Sequence, residues 1–167
     1  MLSLGIDSGS TATKGVLFDG TEITACTMRP TSMNPAAALR EMYTELCGEK
    51  AAVVTTTGYG RNLLREADYK ITEITCHGAG AAFLAPGCGT VIDIGGQDCK
   101  VITLDRDGCV TDFLMNDKCA AGTGRFMQMT MARVGSAIDH LDALVHGCTP
   151  VALNRMCTVF AESDIVG

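Results

Sequence analysis

Apolar and polar positions alternate in short runs at the start of the chain and again after residue 89, each run broken by Gly, Ser, Asp or Asn. Alternation of that kind predicts strands, because successive side chains of an extended backbone face opposite sides. The expected strands are residues 2–6, 15–18 and 22–28, with a small-residue turn at 7–14 and a hairpin signal at Asp19-Gly20. Residues 35–47 predict a helix, with Asn34 as cap and Pro35 in the first turn. A buried strand at 51–55, a loop at 56–62, a helical turn at 62–67 and a strand at 69–72 follow. Residues 73–84 predict a second helix, whose small residues Gly78, Ala79, Gly80, Ala81 and Ala82 suit a close crossing with another helix.

Pro86-Gly87 ends this unit, and the expected division is 1–87 and 88–167. The meander then restarts. Strands are expected at 90–94, 99–104 and 109–115, separated by the turns Gly95-Gly96-Gln97-Asp98 and Asp107-Gly108. A helix at 123–134 with Thr123 as its cap follows, then a weaker helical segment at 136–146, a short apolar run at 150–154, and a helix that starts beside Cys157. The order strand, Gly-rich turn with an acid, strand, turn, strand thus occurs twice. Asp7 and Asp93 hold the same place, at the end of the first strand of each unit. The fold class expected is α/β, two related units with mixed sheets.

Composition narrows the function. The 167 residues are 47% hydrophobic and 19% charged, which makes a core-forming globular chain of one domain or two small ones. A net charge of −6 removes nucleic acid as the default partner, since neutralising phosphates takes a basic face. No apolar run reaches membrane-spanning length, and the start meets Asp7 without a basic leader, so the expected setting is cytoplasmic with no membrane partner. Nine cysteines stand at 26, 47, 76, 88, 99, 109, 119, 148 and 157, with no C-x-x-C among them. That pattern disfavours zinc ribbons and thioredoxin-like pairs, and in a reducing compartment most are expected to be core fillers.

Three stretches carry candidate chemistry. Asp7-Ser8-Gly9-Ser10-Thr11, with Lys14 close by, would aim N–H groups and hydroxyls at one spot, which suits phosphate, although an ordinary hairpin loop has the same composition. Gly95 to Asp98 offers a second such turn beside Asp93. Two Gly-rich turns with one acid each suit a nucleotide whose Mg²⁺ the acids hold, mostly through water. Neither G-x-x-x-x-G-K-[ST] nor G-x-G-x-x-G occurs. The third stretch is Asn116-Asp117-Lys118-Cys119-Ala120-Ala121-Gly122-Thr123-Gly124-Arg125-Phe126. A helix start there would favour thiolate at Cys119, and Cys157 repeats the setting; the alternative is a structural cysteine in a turn. His77, among small residues, reads as a packed histidine, and Asp98 as a turn residue.

The two acid-bearing turns resemble the phosphate motifs of the acetate/sugar kinase, heat-shock 70 and actin superfamily, and Glu73 resembles its first connecting segment. Thr57-Gly58-Tyr59-Gly60-Arg61-Asn62, the run from Val91 to Lys100, the Cys119 stretch and the run from Cys157 to Ser163 narrow the likeness. They resemble the activators of 2-hydroxyacyl-CoA dehydratases and the related ATPase subunits of benzoyl-CoA reductases, the BadF/BadG/BcrA/BcrD type. The resemblance implies an actin-like, ribonuclease H-like ATPase fold and an ATP-driven one-electron donor. It implies a homodimer with one [4Fe–4S] cluster, two cysteines from each chain, at the positions of Cys119 and Cys157. It implies Asp7 and Asp93 organising Mg²⁺ and the attacking water, with Glu73 either orienting water or serving as an acid at its helix start. Ser10, Thr11, Lys14, Gly95, Gly96 and Gln97 would contact phosphate. The implied partners are a 2-hydroxyacyl-CoA dehydratase and reduced ferredoxin or flavodoxin as electron source.

Two other classes compete. A sugar-kinase-like phosphotransferase explains the turns but not the paired cysteines, and the third reading is a non-enzymatic nucleotide-sensing or assembly module of the actin type. The second unit holds few helices, and nothing after Phe160 reads as the Gly-Gly adenosine motif that the family places downstream. The expectation is therefore a truncated chain with an incomplete second domain and apolar surface exposed.

Overall fold

The computed structural model of the protein describes residues 1–47, 53–116, 123–153 and 158–166. Strands β1 (Ser3–Ser8), β2 (Ala12–Phe18) and β3 (Ile23–Pro30) form an antiparallel meander. The parallel strand β4 (Val53–Gly58) takes the other edge of β1, and β5 (Tyr69–Lys70) follows it, giving a mixed sheet in the order β3-β2-β1-β4-β5. Helix α1 (Pro35–Cys47) covers one face. Its cap is the expected one: Ala37 N donates to Asn34 Oδ1 at 3.2 Å. Leu4 and Ile6 of β1, Val54 of β4, Leu39 and Met42 of α1 and Leu64 form the core. Each such side chain removed from water contributes about 1.5–3 kcal/mol. Gly15 lets α1 lie directly on β2, since a Cβ there would sit 2.5 Å from Leu46 Cδ1 and 2.7 Å from Met42 Sδ.

The strand period of two places Gly5, Val16 and Phe18 on the opposite face of this sheet. Helix α2 (Glu73–Leu84) packs there, with Phe83 edge-on to Phe18 at a centroid distance of 5.4 Å. An apolar cavity of about 550 Å³ remains between the two, lined by Gly5, Val16, Ala79 and Gly80 among others.

Strands β6 (Thr90–Ile94), β7 (Cys99–Leu104) and β8 (Val110–Met115) form a second sheet in the order β6-β7-β8. This repeats the chain order of β1, β2 and β3, so the duplicated sequence pattern is a duplicated structure. The small residues of α2 meet strands rather than a second helix. A Cβ on Gly78 would lie 2.6 Å from Val110 Cγ2, and one on Gly108 2.7 Å from Ala82 Cβ. Two compact units result: Met1–Val91 with Thr103–Asp112, and Ile92–Ile102 with Phe113–Gly167. The outer ends of β7 and β8 thus pack with the first unit.

The second unit adds α3 (Gly124–Arg133), a 3₁₀ turn at Ile138–His140, α4 (Leu141–Val145) and α5 (Thr158–Val166). The single helical segment expected at 136–146 is this 3₁₀ turn followed by α4. Residues 62–67 form turns, not a helical turn. Leu64 is drawn into the core, while Asp68 N donates to Val54 O at 2.8 Å and its carboxylate accepts from Val54 N at 2.8 Å. These tertiary bonds outweigh local helix preference. Apolar side chains of the second sheet are exposed, among them Ile92, Ile94 and Leu114.

Candidate functional site

The first turn belongs to the first unit. Asp7 of β1 stands opposite Lys14 of β2 in the antiparallel register, so both side chains leave the same face. Lys14 Nζ lies 2.8 Å from Asp7 Oδ2. Lys14 is therefore a strand residue paired with the acid, not part of the turn itself. The turn is shorter than expected, Gly9-Ser10-Thr11. It is closed by Gly9 N donating to Ala12 O at 3.1 Å and held by Thr31, which donates its N–H to Thr11 O and its hydroxyl to Gly9 O. Ser10 is exposed at the tip and Thr11 half-buried.

Behind this turn lies an element whose role the sequence reading did not assign. The loop Thr57-Gly58-Tyr59-Gly60 packs against Asp7 and Ser8 without space for a methyl group. Gly58 has φ +82°, and a Cβ there would sit 2.5 Å from both Asp7 Oδ1 and Ser8 O. Gly60 N donates to Ser8 O at 3.2 Å, and a Cβ on Gly60 would overlap Ser8 Oγ. The signal that could have found it was the pair of glycines flanking one aromatic residue straight after a strand. The hydroxyls of Ser8, next to Asp7 in β1, and of Thr57, opposite it in β4, are buried with no partner among the described residues. A cavity of about 640 Å³ opens beside the turn, lined by Ser8, Gly9, Ser10, Ser32, Tyr59 and Gly60 among others. Buried hydroxyls lacking a partner, next to glycines that no side chain can replace, fit a ligand rich in acceptor oxygens.

Gly58→Ala tests this packing. The left-handed conformation costs a residue with a Cβ about 1–2 kcal/mol, and the new methyl group must also displace Asp7. The expected result is a lower midpoint in chemical denaturation. A midpoint equal to that of the parent chain would mean that the loop has room for a methyl group beside Asp7.

The second turn repeats the first with an addition. Asp93 of β6 and Lys100 of β7 have the same seven-residue separation as Asp7 and Lys14, with Nζ 3.4 Å from Asp93 Oδ2. Here a second acid intervenes: Lys100 Nζ lies 2.8 Å from Asp98 Oδ1. Asp98 is a turn residue as expected, its carbonyl closing the turn by accepting from Gly95 N at 2.8 Å, and its carboxylate in addition holds Lys100. The side chain of Lys100 is only 2% exposed. Gly96 is half-buried and Gln97 exposed at the tip.

Helix α3 begins on this turn. Thr123 is its N-cap residue by conformation, φ −90° and ψ 164°, yet makes no side-chain cap bond. The first helical N–H groups end on the turn instead: Gly124 N donates to Gly95 O at 2.8 Å and Arg125 N to Gly96 O at 3.2 Å. The expected hydroxyl cap is thus replaced by two backbone carbonyls. Asn116 ties the other end of the Cys119 stretch to β7, its N–H donating to Cys99 O and its side chain accepting from Cys99 N. Burial, then the charges of Asp98 and Asp93, push the Cys99 thiol above its usual pKa, so it stays protonated at neutral pH.

Glu73 is the first residue of α2, behind the N-cap Thr72, and His77 is half-buried on the same helix. Cys119 and Cys157 lie outside the described residues; α3 starts at Gly124 and α5 at Thr158. Of the other cysteines, Cys47 is a core residue and Cys76, Cys88 and Cys99 are half-buried, but Cys26, Cys109 and Cys148 are exposed and do not fill the core as expected. No described helix is long and apolar enough to cross a membrane.

Comparison with known proteins identifies the family. The profile of the BadF/BadG/BcrA/BcrD ATPase family matches residues 4–167. Protein YjiL of Escherichia coli (strain K12) is 53% identical over 98% of this chain and 65% of its own length. The (R)-2-hydroxyglutaryl-CoA dehydratase activating ATPase of Acidaminococcus fermentans is 43% identical over 98% of this chain and 66% of its own length. The solved activator of the 2-hydroxyisocaproyl-CoA dehydratase from Clostridium difficile, with bound ADPNP, superposes with a TM-score of 0.87. It is 41% identical, over 99% of this chain and 65% of that one. The chain therefore spans about two thirds of the length of the relatives it matches. The fold is the actin-like α/β ATPase fold with a mixed sheet. The chain belongs to the BadF/BadG/BcrA/BcrD ATPase family.

Proposed function

We propose that this chain works in an ATP-dependent one-electron donor that activates a 2-hydroxyacyl-CoA dehydratase. The observation that carries the reading is the duplicated hairpin, an acid and a lysine seven residues apart flanking a glycine turn, with Asp7 and Lys14 in one copy and Asp93 and Lys100 in the other. One acid–lysine hairpin is an ordinary surface pair. Two copies, each ending a first strand, suit a metal–nucleotide complex that needs carboxylates for Mg²⁺ and donors for phosphate.

In this reading Asp7 and Asp93 hold Mg²⁺ through water and orient the attacking water, with Glu73 assisting. The turn at Gly95, Gly96 and Gln97 contacts phosphate oxygens through the backbone N–H groups of Gly96 and Gln97, because Gly95 N already donates to Asp98 O; the hydroxyls of Ser10 and Thr11 contact them as well. Lys14 sits at the exposed end of its strand pair, 45% accessible, and is free to leave Asp7 for a phosphate. The donor set for an iron–sulfur cluster is Cys119 and Cys157. Two thiolates from each of two chains complete the Cys₄ set that a [4Fe–4S] cluster requires. When bound, the cluster supplies the low-potential electron that the partner enzyme consumes, replenished from reduced ferredoxin or flavodoxin.

The test is an anaerobic visible spectrum after reconstitution with iron and sulfide, taken with and without ATP. The expected result is one cluster per two chains, with a potential that differs between the ATP and ADP forms. Coupling between two binding events is reciprocal, so each shift of about 59 mV implies a tenfold difference in nucleotide affinity between the redox states. A colourless chain that nevertheless binds ATP would move the reading to a phosphotransferase or a nucleotide-sensing module. Equal nucleotide affinity in both redox states would remove the coupling.

A further inference from the structure

Asp7 and Ser8 are neighbours in β1, so their side chains leave opposite faces of the sheet. Asp7 shares its face with Lys14, while Ser8 follows Leu4 and Ile6 onto the face that α1 covers. The cavity of about 640 Å³ beside Ser8 opens there, walled by Ser8, Thr31, Ser32, Pro35, Tyr59 and Leu63 among others. Neither Asp7 nor Lys14 lines it, and among the described residues no lining side chain carries a charge. The hydroxyl of Thr31 donates to Gly9 O and that of Ser32 to Asn34 O. Ser8 differs from both: it is 1% exposed, and its hydroxyl has no partner among the described residues. At the mouth, Tyr59 is 61% exposed and Leu63 44%.

We propose that this cavity is a second binding site, for a small neutral molecule bearing several hydroxyl groups, on the face of the sheet opposite Asp7 and Lys14. A buried hydroxyl without a partner destabilises the empty chain, and a ligand hydroxyl that pairs with it removes that penalty. The lining then decides the class of ligand. An anion would meet no cationic side chain. The start of α1 adds little for it, because Pro35 carries no N–H and those of Ala37 and Ala38 end on Asn34. A cation would meet no carboxylate. A plain hydrocarbon would leave Ser8 unpaired. A polyol or small sugar suits the whole lining: its hydroxyls both donate and accept, and its C–H edges cover the ring of Tyr59 and the side chain of Leu63. Small-molecule sites commonly have this volume and this make-up, a few placed polar groups among apolar ones.

The site is independent of the nucleotide reading and is tested on the whole chain with neither nucleotide nor metal added. Saturation-transfer NMR measures binding of glycerol, ribose and glucose as neutral probes and of acetate as a small anion. The expected result is saturable binding of at least one neutral probe and none of acetate. Tyr59→Ala, at an exposed position that the fold does not depend on, should weaken that binding about tenfold. Ser8→Ala should weaken it about fivefold, the worth of one neutral hydrogen bond. The same change should leave the midpoint of chemical denaturation equal to the parent's or above it, because alanine has no hydroxyl to leave unpaired. A serine that only supported the fold would shift the midpoint down. No saturable binding of any neutral probe, acetate bound as tightly as the sugars, or either variant binding like the parent overturns the site. A Ser8→Ala midpoint below the parent's overturns it too, since the hydroxyl would then be paired in the empty chain. Loss of the nucleotide reading alone leaves the site standing.

Discussion

Cys119→Ala is expected to leave the chain unable to retain iron after anaerobic reconstitution, and Cys157→Ala to do the same. The effect should be all or none rather than graded. In the proposed donor, a cluster short of one of its two thiolates per chain loses two of four ligands across a symmetric pair, which leaves two of its four irons without a protein thiolate. Nucleotide binding should survive in both variants, because the Asp7 turn and the Asp93 turn are built from other residues. Iron content by colorimetric assay, read beside calorimetric nucleotide binding, separates the two properties. The half-buried Cys76 and Cys88 and the exposed Cys148 serve as comparisons, each changed to alanine with iron expected to remain. Iron retained without Cys119, or lost on changing one of these three, would place the cluster elsewhere.

The second large effect is expected at Asp93. Asp93→Asn keeps the shape of the side chain and removes its charge. The amide neither attracts Mg²⁺ nor accepts a proton from water, so hydrolysis should fall by about a hundredfold, in the lower range for loss of an acid–base group. Iron content should be unchanged. The variant leaves Lys100 facing only Asp98 among the two acids, which keeps the buried cation paired and predicts a folded product. Phosphate release by reconstituted chain measures the loss. Hydrolysis within a few-fold of the parent would assign the metal and the water to other groups.

Much of this architecture could be read from the order of residues. Strands β1, β2, β3, β6, β7 and β8 follow from alternation and from Gly, Asp and Asn at their ends, and α1 from Asn34 and Pro35. These signals are local, so the chain declares them without help from the fold. The same is true of the duplication, since Asp7 and Asp93 each close a first strand.

Other features depend on what sits across space. Lys14 looks like a turn residue in sequence, and only the antiparallel register places it opposite Asp7. Asp98 looks like a turn former because aspartate favours turns, and nothing local shows that Lys100 would be buried against it. Thr123 has the identity and backbone of a cap, but the carbonyls of Gly95 and Gly96 reach the helix first. The small face of α2 announces a close approach without naming the partner, and strands proved to be that partner. The loop from Thr57 to Gly60 shows its glycines plainly, while the reason for them, the absence of space beside Asp7 and Ser8, belongs to the packing.

The bonds from Gly124 and Arg125 to the carbonyls of Gly95 and Gly96 have a consequence for how the second unit opens. An amide at the start of a helix normally faces water and exchanges its hydrogen quickly. These two are sealed against a turn far away in the chain, so they exchange only when the turn and the first coil of α3 separate. Turn and helix therefore open as one cooperative unit, and whatever stiffens the turn slows deuterium uptake at the helix start. Gly124 and Arg125 thereby become built-in reporters, readable by hydrogen–deuterium exchange, of whether the Asp93 turn is empty or engaged.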